Sequence, residues 1–244
     1  INFEGIKMHR SKRFREIASK IKPYEKYDLA QAIEILKNCP PIKFDQSVEL
    51  SLKTSIDAQK PDQQVRGTVS LPNGTGKQTI LVVFAKGEKI QEALDAGADY
   101  AGNEELFEKI KKGWTSFDVV IATPDMMRDL GKYAKILGPR GLMPTPKAGT
   151  VTNDIAGVCK QVKMGRIEFK IDKQGVINTL IGKLSFSREN LIENITAFIN
   201  AIVRAKPSSA KGQYIQSIVL SSTMGPGLKV DLSVIAGLQG AKEQ

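Results

Sequence analysis

Thr79-Ile80-Leu81-Val82-Val83-Phe84-Ala85 is a short apolar run of the kind buried on both faces of a parallel sheet. The text after it keeps the same alternation. Glu88 to Ala96 reads as a helix ending at Gly97, and Tyr100 lies in a brief strand between Ala98-Asp99 and Gly102. Glu104 to Gly113 then places Leu106, Phe107 and Ile110 at helical spacing before a closing glycine. Phe117-Asp118-Val119-Val120-Ile121-Ala122 is another buried strand, and Thr123-Pro124-Asp125 opens a helix with proline in its first turn. The middle of the chain is therefore a β-α-β-α-β-α unit, a small doubly wound, Rossmann-like parallel-sheet domain.

The flanks read differently. Val48, Leu50 and Leu52 alternate, as do Ile167, Phe169 and Ile171, and Lys173-Gln174-Gly175 supplies a turn before Val176 to Leu180, which predicts an antiparallel hairpin. Helices are predicted over Leu29 to Lys37 and over Arg188 to Lys206, the second with Ser187 as N-cap and Pro207 as its stop. First and last thirds thus share an α+β character that the middle lacks. The expected organisation is one discontinuous α+β domain, residues 1–67 plus 160–244, interrupted by an inserted domain, residues 68–159. The chain would cross between them near Gly67 and near Cys159, and two linker strands would form a hinge.

Charge follows the same division. The formal net charge is +10, yet residues 70–160 hold 12 Lys or Arg against 11 Asp or Glu, so the flanks carry nearly all of the excess. A basic surface of this size suits a polyanion, because neutralising phosphates releases counterions. No apolar run approaches the roughly 18 residues of a spanning helix, and no basic amphipathic helix with aromatic anchors stands out, so nucleic acid is favoured over a membrane. Cys39 and Cys159 lie far apart without C-x-x-C spacing and read as reduced core thiols rather than a disulfide or zinc site. The single histidine, His9, sits in the basic arm His9-Arg10-Ser11-Lys12-Arg13-Phe14-Arg15 and makes a poor catalytic base or metal site. No cofactor is expected.

Three stretches carry the functional reading. Ser221-Ser222-Thr223-Met224-Gly225-Pro226-Gly227 follows the alternating Tyr214 to Leu220 and brings hydroxyls, a thioether and a Gly-Pro-Gly turn to a sheet edge, a surface suited to close approach by a sugar-phosphate backbone. The arm's Lys12 and Arg13 are candidate phosphate contacts. Gly138-Pro139-Arg140-Gly141-Leu142-Met143-Pro144-Thr145-Pro146-Lys147 is neither helix nor central strand and is expected to project as a shaped loop. It reads either as a rigid connection or as an interaction loop using Arg140 and Lys147. Gly74-Thr75-Gly76-Lys77 fails as a phosphate loop: Leu71 stands where the first glycine belongs, Gln78 follows the lysine, and the loop precedes a strand. A nucleotide-holding enzyme, the competing class, lacks its Gly-rich fingerprint.

These residues closely resemble the family of the large-subunit ribosomal protein L-one in its bacterial form, from the basic arm to about Asp231. The likeness is carried by Lys43-Phe44-Asp45-Gln46-Ser47-Val48-Glu49, Val65-Arg66-Gly67-Thr68-Val69 with Leu71-Pro72, Ala96-Gly97-Ala98-Asp99-Tyr100, the Gly138 to Lys147 loop, Gly165-Arg166-Ile167-Glu168-Phe169 and Thr223-Met224-Gly225-Pro226. The resemblance implies a two-domain RNA-binding protein that is no enzyme and is monomeric outside the ribosome. It further implies binding to the stalk region of large-subunit rRNA, a mobile lateral stalk that accompanies deacylated tRNA from the exit site, and repression of its own operon mRNA. Carried over by position, Lys43, Phe44, Ser47 and Glu49 would form one side of the RNA surface and Ser217, Thr223, Met224 and Gly225 the other. Lys170, Asp172 and Lys173 would add contacts at the turn. Asn178 departs from the histidine many bacterial members carry there. A cytoplasmic ribosome and an organelle interior both accommodate the reading.

Overall fold

In the computed structural model the chain is described over residues 11–19, 21–22, 25–57, 64–207, 210 and 212–233. The elements of the first flank are α1 (Lys12–Ser19), β1 (Lys26–Tyr27), α2 (Leu29–Lys37), β2 (Ser47–Thr54) and β3 (Arg66–Ser70). The middle contains β4 (Leu81–Phe84), α3 (Glu88–Asp95), β5 (Tyr100–Gly102), α4 (Glu104–Lys111) and β6 (Val119–Ala122). A 3-10 turn leads from there into α5 (Met127–Gly131), followed by α6 (Ala134–Leu137) and α7 (Ile155–Lys163). The last flank has β7 (Arg166–Lys170), β8 (Val176–Lys183), α8 (Arg188–Arg204), β9 (Ile215–Ser222) and β10 (Leu228–Val230).

Two helices cover one face of a five-stranded sheet ordered β1-β10-β9-β2-β8, antiparallel except for the β1–β10 pair. Ser187 caps α8 by accepting from the Asn190 N–H at 3.1 Å, and Asp28 caps α2 by accepting from Ala30 at 3.3 Å. Leu191, Ile195, Phe198, Ile199 and Ile202 then fall on one stripe of α8 and meet Val48, Leu50 and Leu52 of β2 in a common core. Alternation in β2 and β9 leaves Glu49, Ser51 and Lys53 beside Ser217, Val219 and Ser221 on the opposite, uncovered face. That asymmetry makes the sheet half core and half surface.

The middle folds on its own parallel sheet, ordered β5-β4-β6. One face packs against α4, α5 and α6 through Phe107, Ile110, Met126 and Leu130; the other packs against α3 and α7 through Ala93, Ile155, Val158 and Cys159. This is the doubly wound unit expected from the apolar runs. Burial pushes the Cys159 thiol up to about 11, as suits an inert core residue. Cys39 is only half-buried and donates to the Ile35 carbonyl at 3.3 Å. The start of β4 is tied down by two carboxylates: Asp99 accepts from Leu81 N–H and from Lys163, each at 2.7 Å, and Asp118 from Ile80 N–H at 3.1 Å and from Lys77 at 2.5 Å. Burial pushes both carboxyls up, but those hydrogen bonds and the lysine charges outweigh it and hold both below the usual range. Lys77, the lysine of the rejected phosphate loop, is thus an ion-pair partner.

Between the two units the chain runs through β3 and β7, which pair antiparallel as a separate two-stranded ladder. The expected hairpin is corrected here. The turn at Asp172 to Gly175 forms, with Asp172 N–H donating to Val176 O at 2.8 Å, but β7 pairs with β3 while β8 pairs with β2. Local alternation specifies both strands and cannot choose their partners. Gly165 has φ +98° and a side chain there would meet Gly74 Cα at 2.5 Å, so the two connectors touch backbone to backbone. Asn194, fully buried, holds the incoming connector: its amide donates to Gly74 O and Ile181 O, each at 2.9 Å, and its oxygen accepts from Asn73 N–H at 3.0 Å.

Two further departures come from the same limit. The basic arm is helical from Lys12 to Ser19 as α1, with Ser11 accepting from Phe14 N–H at 3.3 Å in the manner of an N-cap. The loop from Gly138 projects only through Gly141; Leu142 and Met143 pack on the middle core, Pro144 is buried, and Ala148 O accepts from Arg166 at 3.1 Å. His9 and the arm before Ser11 lie outside the described residues.

Asn194→Leu strands an N–H and two carbonyls and should destabilise the protein by about 2–4 kcal/mol, read from urea unfolding. Asp99→Asn should lower Tm at pH 7. Because the folded pKa lies below the unfolded one, the carboxylate's contribution is complete above about pH 4 and vanishes as pH falls through the lowered value, so the two melting curves should converge in acid.

Candidate nucleic-acid interface

The β2–β9 ladder brings Ser47 beside Thr223, residues 176 apart in sequence. Thr223 Oγ1 accepts from Ser47 N–H at 3.0 Å, and Thr223 N–H donates to Ser47 O at 3.1 Å. One residue on, Met224 N–H donates to Gln46 Oε1 at 3.1 Å, and Gly225 N–H returns to Ser222 O at 2.9 Å. The backbone of this corner is therefore held at consecutive positions. A Cβ on Gly225 would lie 2.1 Å from Ser222 Oγ, so glycine lets the turn close over that buried hydroxyl.

With the backbone fixed, the side chains at the corner point outward. Phe44 is 52% and Met224 54% exposed, unusual values for apolar groups. Lys43 is exposed beside them, and Lys183 donates to Ser47 Oγ at 3.1 Å, adding a cation. Pro41, Ile42, Lys43 and Met224, with Ser11 and Arg13 of the amino-terminal segment, line an open groove of about 610 Å³. Apolar faces next to amines on a rigid backbone can stack on riboses or bases while neutralising phosphates.

The structure gathers Lys43, Phe44, Ser47, Thr223, Met224 and Gly225 at one end of β2. The remaining residues do not join them. Glu49 is exposed one step along the same face, and Ser217 sits opposite Lys53 near the far end. Asp172 and Lys173, exposed, belong to the turn that Thr54 holds through Gly175 O, with Oγ1 at 2.8 Å, and Lys170 is exposed on β7. At about 3.3 Å per residue this end lies roughly 20 Å from the corner; Glu49 and Ser217 share the uncovered face with it, whereas Lys170 belongs to the separate β3–β7 ladder and Asp172 and Lys173 to the turn that follows it. Lys12 is exposed, whereas Arg13 donates to two backbone carbonyls of the corner. Arg140 donates to the Thr115 hydroxyl at the projecting tip, and Lys147 lies in the turn Pro146–Ala148.

Sequence reasoning missed Gln46, which is 4% exposed and holds the Met224 amide, and Lys183. A neutral amide next to the charged Asp45, just before the alternating strand, was the available signal for the first; nothing local marks the second. Among the described residues no group of three or more His, Cys, Asp or Glu could hold a metal, and no helix is long and apolar enough to cross a membrane.

Fold and surface define a two-unit α/β protein with an exposed, cation-flanked corner held by hydrogen bonds. The chain belongs to the ribosomal protein L1p/L10e family, whose sequence pattern matches residues 35–226. It is 63% identical to the large ribosomal subunit protein uL1 of Protochlamydia amoebophila over 222 residues, covering 91% of this chain and 94% of that one. It is 57% identical to the uL1 of Chlamydia caviae, covering 90% and 95%, and 53% identical to that of Kosmotoga olearia, covering 91% and 96%. Membership makes the chain a non-enzymatic, RNA-binding constituent of the large subunit, and so of the cytoplasmic ribosome.

Gly225→Ala should displace the turn by a few tenths of an ångström or more and weaken RNA binding several-fold, measured by filter retention, while thermal unfolding shifts by no more than a few degrees.

Proposed function

We propose that the protein holds the stalk region of large-subunit rRNA at the corner formed by Lys43, Phe44, Ser47, Thr223, Met224 and Gly225, with Glu49, Ser217, Lys170, Asp172 and Lys173 extending the footprint. The observation that carries this reading is the pair of half-exposed apolar side chains, Phe44 and Met224, the second on a backbone pinned by hydrogen bonds and the first beside Asp45, whose carboxylate accepts from the Ser185 hydroxyl. Exposed apolar groups on a locked frame gain contact area with little entropy left to lose. The division into residues 1–67 with 160–244 and 68–159 draws support from the two separate cores, although Leu71 packs with the outer unit and Val162 with the inserted one, so each crossing falls a few residues later than the expected bounds. The paired β3 and β7 serve as hinge, and the inserted unit swings to accompany deacylated tRNA from the exit site, meeting it through Arg140 and Lys147. The same corner binds a similar structure in the protein's own operon mRNA and represses it. Outside the ribosome the protein is monomeric.

Met224→Asp sets a carboxylate where phosphates approach and should reduce affinity for a large-subunit rRNA stalk fragment at least tenfold, with the circular-dichroism melt unchanged. Binding at the wild-type level in filter retention would overturn the assignment. Finding repression of the operon mRNA intact in that variant would separate the messenger site from the ribosomal one.

A further inference from the structure

We propose that Arg13 is a positioning residue for the RNA-binding corner and not the phosphate contact its sequence neighbourhood suggests. The inference rests on the RNA reading of the corner.

Arg13 Nη1 donates to Met224 O at 3.0 Å, across 211 residues of sequence, and Nε donates to Pro40 O at 3.3 Å. Nη2 is buried and has no hydrogen-bond partner among the described residues, so the guanidinium is committed to the corner's own carbonyls although the side chain forms part of the groove wall. Its planar fork reaches two carbonyls that belong to different loops, the one leading into β2 and the one leaving β9. One helical turn further on, Ile17 is 2% exposed and lines a small apolar pocket with Ile35, Asn38, Cys39 and Pro40 at the end of α2. Residues i and i+4 share a helix face, so Ile17 seats α1 and thereby aims Arg13.

The consequence falls on Met224. Gln46 holds its N–H and Arg13 holds its carbonyl, so the residue is fixed on both sides while its side chain stays in the groove. Without Arg13 the peptide joining Met224 to Gly225 loses its outer tether and the thioether samples other directions. Affinity then falls because the surface must be ordered on binding, while every phosphate keeps the cation that neutralises it. Helix α1 is in this way a working part of the corner. Lys12, exposed on the same helix, keeps the phosphate role.

Salt dependence separates the two roles, since each neutralised phosphate contributes about 0.7–0.9 to the slope of log K against log salt. In the full chain, with a large-subunit rRNA stalk fragment between about 50 and 200 mM salt, Arg13→Met should weaken binding about tenfold at unchanged slope. Lys12→Gln should flatten the slope by about one phosphate's share. Arg13→Lys keeps the charge but cannot bridge both carbonyls, and should resemble Arg13→Met. In RNA-free protein, hydrogen exchange at the Met224 and Gly225 amides should accelerate in both Arg13 variants while amides of α8 stay protected. A flattened slope for Arg13→Met with rescue by Arg13→Lys, or exchange at Met224 and Gly225 unchanged, would overturn the proposal. If wild type fails to bind the fragment, the RNA reading itself falls, and the exchange measurement still decides whether Arg13 tethers the turn.

Discussion

The ladder between β2 and β9 joins the first and last flanks of the chain, and nearly everything else depends on that pairing. It runs from Val48 opposite Ser222 to Thr54 opposite Ile215. Its inward residues supply the floor on which α2 and α8 bury their apolar stripes. Its outward residues supply the uncovered polar face, and its end delivers Ser47 to Thr223. Because side chains alternate with a period of two, a slip of one residue would turn Leu50 and Leu52 to water and Glu49 inward, so the hydrophobic core also fixes the register of the corner. The geometry of the corner is in this sense a by-product of core packing.

Interrupting such a domain is tolerated because the inserted unit closes on itself. Its three strands are covered on both faces by its own helices, and Asp99 and Asp118 tie the entry of β4 without help from the flanks. Only two connectors cross, and they touch at Gly74 and Gly165 where neither has a side chain. Asn194 anchors one of them to α8. The concentration of positive charge in the flanks matches this separation: the unit bearing the corner carries the cations that an RNA backbone requires, and the inserted unit stays nearly neutral.

The elements themselves were largely legible, because each is announced by local chemistry. Ser187 as cap, Pro207 as stop and the stripe from Leu191 to Ile202 define α8 without reference to anything outside it. The apolar runs at Leu81 to Phe84 and Val119 to Ala122 are strands buried on both faces, and no other reading accommodates them. Thr223, Met224 and Gly225 were visible as a turn unsuited to a core. What misled was partner choice. Ile167, Phe169 and Ile171 alternate as a hairpin arm should, yet β7 pairs with β3, a strand far earlier in the chain, because Phe169 must enter the outer core against Phe198.

Residue order therefore determined, by itself, which segments are helix or strand, that a parallel-sheet unit interrupts the α+β flanks and which short stretches are too polar or too rich in glycine and proline to be interior. These depend on neighbours within a few positions. Tertiary structure decided the contacts by which Lys43 to Ser47 stands against Thr223 to Gly225, a juxtaposition that only the family resemblance implied, and it alone decided that the Asp172 turn lies at the opposite end of the sheet and that Arg13 turns inward to two carbonyls while Lys12 stays in water. Two arginine or lysine side chains in one basic run are equivalent to any local rule. They become different only when a folded neighbour offers one of them an acceptor that water would otherwise replace.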